Sequence, residues 1–157
     1  MKKQNSRGFT IIEVVLVLAI AGLIFMMVFI ALPALQRGQR DTQRKNDLSR
    51  LNTALNSYQS NNRGNLPATG NWTTGFLNRY VVTSGDTFVD PSGTDYVLQE
   101  VDAAFSIPTD FDATSPIIYI TTHRTCDGEG LTSTDQGARK VAFRVKLEGS
   151  GVTCQSN

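Results

Sequence analysis

Between Glu13 and Arg37 the chain carries no charge, and the nineteen positions from Val14 to Leu32 are almost entirely apolar. At 1.5 Å per residue they predict a helix of about 28 Å, the thickness of a bilayer's hydrocarbon layer. Beyond Pro33 the pattern changes. Leu48, Leu51, Leu55 and Tyr58 recur at intervals of three and four, with Arg44, Lys45, Asp47, Arg50, Asn52 and Asn56 between them. That spacing predicts a second, amphipathic stretch of helix with one apolar stripe and a polar remainder. Proline strains a helix interior by about 3 kcal/mol, so a kink or a melted stretch is expected between Gly22 and Pro33, with a bend near residues 29–33. The run Asn61-Asn62-Arg63-Gly64-Asn65-Leu66-Pro67 ends the helix: glycine suits a left-handed cap and proline cannot continue it.

Residues 68–94, with Gly70, Gly75, Gly85, Pro91 and Gly93, read as a loop region holding one short helix near Thr74–Arg79. Three strands follow, at Tyr96–Val101, Ile117–Thr122 and Lys140–Leu147. In the last, Val141, Phe143, Val145 and Leu147 alternate with Lys140, Ala142, Arg144 and Lys146. Strict alternation predicts one face on a core and the other toward water or a neighbour. The expected fold is α+β, a long N-terminal helix packed on an antiparallel sheet of three to four strands. A length of 157 residues allows one such domain and a tail.

The formal charge of +1 conceals an uneven layout. Residues 36–63 hold six basic and two acidic side chains, residues 64–137 two basic and ten acidic, and residues 138–157 four basic and one acidic. Such segments attract one another between copies of a chain, weakly and subject to salt. Basic residues flank the apolar stretch on both sides, Lys2, Lys3 and Arg7 before it and Arg37, Arg40, Arg44 and Lys45 after it, so charge counting leaves the orientation open. A cleaved secretory signal fits poorly, because the apolar run is too long and no A-x-A-like site follows.

The opening R-G-F-T-I-I-E, Arg7 to Glu13, runs directly into the apolar helix. This arrangement resembles the N-terminal signature of type IV pilins and the related pseudopilins of type II secretion. The resemblance implies cleavage after Gly8 by a membrane aspartyl peptidase, the prepilin peptidase, and methylation of the new N-terminus at Phe9. Glu13 then becomes the fifth residue of the trimmed chain, pairing with the α-amine of a neighbouring subunit during assembly. Physical chemistry agrees, since a carboxylate within a membrane helix costs about 2.5–3.5 kcal/mol on insertion scales and is retained where it has a partner. A subunit docked one step out of register would leave two buried charges unmatched. The chain departs from the family in its proline, which the family often carries nearer the start of the span than Pro33.

The resemblance further implies a pilin-like head and a division into a leader (1–8), a span and filament-core helix (9–35), an amphipathic half-helix (36–62) and a globular head (63–157). Its partners would be identical or related pilin subunits in a helical polymer, the prepilin peptidase, the membrane assembly machinery, and a host surface or DNA. The precursor would sit in the inner membrane with its leader cytoplasmic, and the assembled filament outside the cell. There a disulfide between Cys126 and Cys154, the only cysteines, is expected to bound a C-terminal loop, as in many family members.

Other candidate chemistry is thin. Asp127-Gly-Glu-Gly-Leu-Thr-Ser-Thr-Asp135 suggests a calcium loop but fails the EF-hand pattern, with Leu131 at a ligand position and Ala138 where the bidentate glutamate belongs. His123, the single histidine, has no partners in the sequence for catalysis or metal binding. No G-x-S-x-G, P-loop, H-E-x-x-H or G-x-G-x-x-G motif occurs, so neither an enzyme nor a cofactor or metal is expected. Lys140, Arg144 and Lys146 share a predicted strand face able to meet DNA phosphates. The reading is therefore a structural subunit of a type IV pilus serving motility, adhesion or DNA uptake. Two alternatives are a secretion or competence pseudopilin and, more distantly, a membrane-tethered binding module.

Overall fold

The computed structural model of the chain describes residues 8–82 and 87–157. The leader charges Lys2, Lys3 and Arg7, and Gly85 of the loop region, lie outside them. The chain divides into two units, one ending at Gln36 and the other running from Arg37 to Asn157. Helix α1, Ile11–Asn61, is unbroken through Gly22 and Pro33, so the melted stretch expected there is absent. Pro33 is held inside the helix, where its ring nitrogen has no N–H to donate.

In the first unit the large apolar side chains from Phe9 to Leu35 are exposed. Twenty-odd apolar side chains on a stretch of helix whose one charge is Glu13, with nothing among the described residues of the same unit covering them, call for lipid or other helices around them. By length and composition α1 contains a stretch able to cross a membrane.

In the second unit, Leu48, Leu51, Ala54 and Leu55 of α1 are buried, with Tyr58 partly so. They pack into one core with Ile118, Ile120, Val141, Phe143, Val145 and Leu147. A π-helical turn, Trp72–Leu77, and the short α2, Asn78–Tyr80, cover the end of this core. Trp72 lies edge-on to Phe143 with ring centres 6.0 Å apart, and Tyr58 meets Phe76 at 5.8 Å and Tyr80 at 5.1 Å. Helix α1 ends as its sequence requires, with Arg63 and Gly64 in left-handed conformation and the Gly64 N–H donating to the Gln59 carbonyl at 2.7 Å.

The strands are β1 (Val97–Glu100), β2 (Ile117–Thr122), β3 (Cys126–Asp127), β4 (Gly130–Leu131), β5 (Val141–Lys146) and β6 (Val152–Ser156). The main sheet has the order β1-β2-β5-β6, and β3 and β4 form a separate hairpin. The sheet is mixed, which corrects the antiparallel expectation: β1 runs parallel to β2, Val97 beside Ile117. The reason lies in the connection. Ser92 and Thr94 donate from their hydroxyls to the Ala113 carbonyl, at 3.0 and 2.9 Å, and the Val97 N–H donates to the Pro116 carbonyl at 2.9 Å. The chain is thus returned to the start of β1 before β2 sets out alongside it. Strand β6 was not expected. Gly149-Ser150-Gly151 supplies its turn, with Ser150 and Gly151 at φ 105° and 79°.

Two side-chain placements also differ from the sequence pattern. Arg144 is buried although it alternates with the core residues of β5. It pairs across the sheet with Tyr119 on β2 and Cys154 on β6. Tyr119 carries Phe105 against it at 5.1 Å, and Cys154 carries the disulfide, so this second face is covered rather than wet. The other placement is on α1. Asp41, Arg44 and Asp47 are buried, because positions 41, 44, 47, 48, 51 and 55 lie on a single helical stripe.

Arg44 is fully enclosed. Its Nε and Nη2 donate to the two carboxylate oxygens of Asp90 at 2.6 and 2.8 Å, Nη1 to Asp41 at 2.9 Å, and Nη2 also to Glu148 at 2.9 Å. Phe111 lies 4.2 Å from the guanidinium carbon. Arg40 closes the cluster with a forked bond to Glu148. Asp41 in turn accepts the backbone N–H groups of Glu148 and Gly149, at 2.9 and 2.8 Å, pinning the β5–β6 turn to α1.

Candidate processing and assembly site

Gly8, Phe9 and Thr10 precede α1, and all three are exposed. Among the described residues a methyl group at Gly8 would meet nothing within 4 Å, so none of them blocks the Gly8–Phe9 peptide. Phe9 is 91% exposed. Thr10 and Glu13 form a reciprocal cap. The Glu13 N–H donates to Thr10 Oγ1 at 3.3 Å, and the Thr10 N–H and hydroxyl both donate to Glu13 Oε2 at 2.9 Å. The S/T-x-x-E spacing is that of a capping box, which satisfies two of the donors a helix start otherwise leaves unpaired. Thr10 is the residue that sequence reasoning missed, and the T-I-I-E spacing was its signal.

The cap has a chemical consequence. Both bonds from Thr10 fall on Oε2, and Oε1 of Glu13 has no partner among the described residues. An anionic acceptor is thus held in place by its own helix with one oxygen free. Around it, Phe9, Val14, Val17 and Leu18 complete an open groove of about 510 Å³ in which Glu13 is the sole polar side chain. Such a groove suits a group that is cationic at one point and apolar around it.

The remaining candidates lie in the second unit. Cys126 and Cys154 are joined in a disulfide, which ties the β3–β4 hairpin to β6. The 127–135 segment is spent on backbone contacts: Gly128, at φ 60°, opens the hairpin turn, Glu129 accepts the Val152 N–H at 3.2 Å, and Asp135 accepts the Gly137 N–H at 2.6 Å. No group of three or more His, Cys, Asp or Glu side chains able to hold a metal occurs among the described residues. His123 itself is left-handed at φ 62°, with Nδ1 3.5 Å from Asp135. The three-cation face proposed for DNA does not form, because Arg144 is buried and Lys140 Nζ donates to the Asn157 carbonyl oxygen at 2.9 Å.

A family model described as the prokaryotic N-terminal methylation motif matches residues 3–29, which encloses Gly8, Phe9, Thr10, Glu13 and most of the apolar stretch. Comparison of the chain with curated proteins and with solved structures finds no match. Residues 3–29 carry the prokaryotic N-terminal methylation motif, the class III prepilin-like signature of type IV pilins and pseudopilins.

Proposed function

We propose that this chain is the precursor of a filament subunit of the type IV pilus kind, trimmed between Gly8 and Phe9, methylated on Phe9 and polymerised through its apolar helix. The motif itself implies processing by a prepilin peptidase and assembly of subunits, and with the exposed apolar helix it fits a membrane-anchored precursor. The observation that carries the reading is the half-satisfied Glu13 carboxylate in an otherwise apolar groove. Trimming converts the Phe9 amide nitrogen into an ammonium attached to an aromatic residue, and that is the chemistry the groove accepts. Thr10 keeps the carboxylate capped while a subunit waits in lipid, which lowers the cost of holding a charge there. When a trimmed copy docks, its ammonium takes the free oxygen, and a shift of one step forfeits the pair. The remaining apolar surface supplies van der Waals packing between helices, and the head-to-tail contact repeats without closing.

The test has two parts. Mass measurement of the mature protein is expected to show a chain beginning at methyl-Phe9. Glu13→Leu is expected to leave membrane insertion intact and abolish sheared filaments. Normal filament yield from that variant would refute the pairing, and an intact leader in the mature protein would refute the precursor. Filaments recovered from the cell surface support the pilus form of the reading, and short filaments confined to the envelope the pseudopilin form.

A further inference from the structure

At the start of the second unit, Arg37 and Lys146 line a cleft of about 480 Å³ together with Thr109, Asp110, Phe111 and Ser150. Neither cation, nor Asp110, has a hydrogen bond or ion pair among the described residues. Glu148, also on the wall, is already neutralised by Arg40 and Arg44. Two unengaged cations and one unengaged carboxylate therefore face a common space. Arg37 stands two residues after Leu35, the last exposed large apolar side chain of α1, about 3 Å further along the helix axis. A bilayer that takes up the apolar stretch brings its headgroup layer to Arg37, and the cleft has Arg37 in its wall.

We infer that the cleft binds a zwitterionic phospholipid headgroup bearing a primary ammonium, the phosphate on Arg37 and Lys146 and the ammonium on Asp110. A headgroup without an amine satisfies the cations but leaves the Asp110 carboxylate beside the phosphate with no cation of its own. A trimethylated ammonium has no N–H for Asp110 to accept. Only a phosphodiester with a primary amine matches all three groups. The Thr109 and Ser150 hydroxyls line the same space and are free to serve the glycerol oxygens. The inference rests on the membrane-anchored reading of the chain.

The test uses the full chain in vesicles of equimolar phosphatidylethanolamine, phosphatidylcholine and phosphatidylglycerol, with native mass spectrometry of the lipids it retains. The intact chain is expected to retain phosphatidylethanolamine over phosphatidylcholine by up to about fivefold, the range of an exposed charge pair. Asp110→Asn is expected to erase that preference while keeping retained lipid, and Arg37→Gln with Lys146→Gln to lose the lipid. Circular dichroism and an intact disulfide check the fold of each variant. Equal retention of the three lipids, or preferences unmoved in the variants, would overturn the inference while vesicle binding upholds the membrane anchor. A chain that does not enter vesicles removes both. Filament loss in the Arg37 and Lys146 variant with unchanged lipid retention would overturn it too, placing a neighbouring copy in the cleft.

Discussion

Replacing Arg44 by methionine isolates the most concentrated electrostatic interaction in the second unit. The substitution keeps most of the apolar volume and removes four bonds at once. Two of the carboxylates it leaves behind have other partners: Asp41 keeps the backbone N–H groups of Glu148 and Gly149, and Glu148 keeps Arg40. Asp90 does not. It is 1% exposed, and without Arg44 its carboxylate is left, among the described residues, with the neutral donors of Ser92 in its own loop, the N–H at 2.9 Å. The cost is that of a buried charge stripped of its counter-ion, about 3–5 kcal/mol. A domain of this size is stable by about 5–15 kcal/mol, so the melting temperature should fall by roughly 10–20 °C. Urea unfolding in detergent, followed by the fluorescence of Trp72, the one tryptophan and 3% exposed, measures the change. Two controls make the reasoning specific. Arg44→Met with Asp90→Leu should recover most of the loss, because no unpaired charge remains. The deficit of the single variant should also shrink in mild acid, since a desolvated Asp90 without its cation titrates above the ordinary range and protonation relieves it. A loss below about 1 kcal/mol, independent of pH and not recovered in the double variant, would refute this account of the cluster.

Acid should unfold the intact second unit through the same groups. The bond from Arg40 holds Glu148 below the ordinary carboxylate value, and at Asp90 burial, which acts upward, is outweighed by Arg44 and Ser92. Both groups have folded values below their unfolded ones, so their contribution is full above about pH 4 and is lost as the pH falls through the folded values. Asp47 opposes them, raised by burial despite Tyr96 and Arg50. Net loss of stability below pH 4, monitored by the same fluorescence, is expected. Reducing the Cys126–Cys154 bridge, or Cys154→Ser, should cost about 3–4 kcal/mol on the chain-entropy estimate, read as a shift of the urea midpoint. Gly64→Ala places a side chain at φ 81° and within 2.9 Å of the Arg139 guanidinium, which is free to swing away. The left-handed backbone alone should cost about 1–2 kcal/mol, and an unchanged midpoint would show that the helix end is not held as described.

Much of the plan was legible in one dimension, because it depends on period and run length. The uncharged stretch after Glu13, the stripe of Leu48, Leu51 and Leu55, the stop at Gly64 and the alternation of β5 are each a local pattern with a local cause. The R-G-F-T-I-I-E opening was equally plain, being chemistry written in consecutive residues. What the sequence left undecided depends on which distant segments meet. The parallel β1–β2 pair follows from hydroxyls of Ser92 and Thr94 reaching Ala113. The burial of Arg44 required Asp90, a residue 46 positions away, and Glu148, 104 away. Arg144 looked like a solvated strand cation until Phe105 and the disulfide were found over its face. A charge is read from sequence as exposed because burying it alone is prohibitive. Only tertiary structure brings Arg44 the carboxylates of Asp41, Asp90 and Glu148 that make its burial tolerable, and so only tertiary structure decided which of this chain's charges hold the head together.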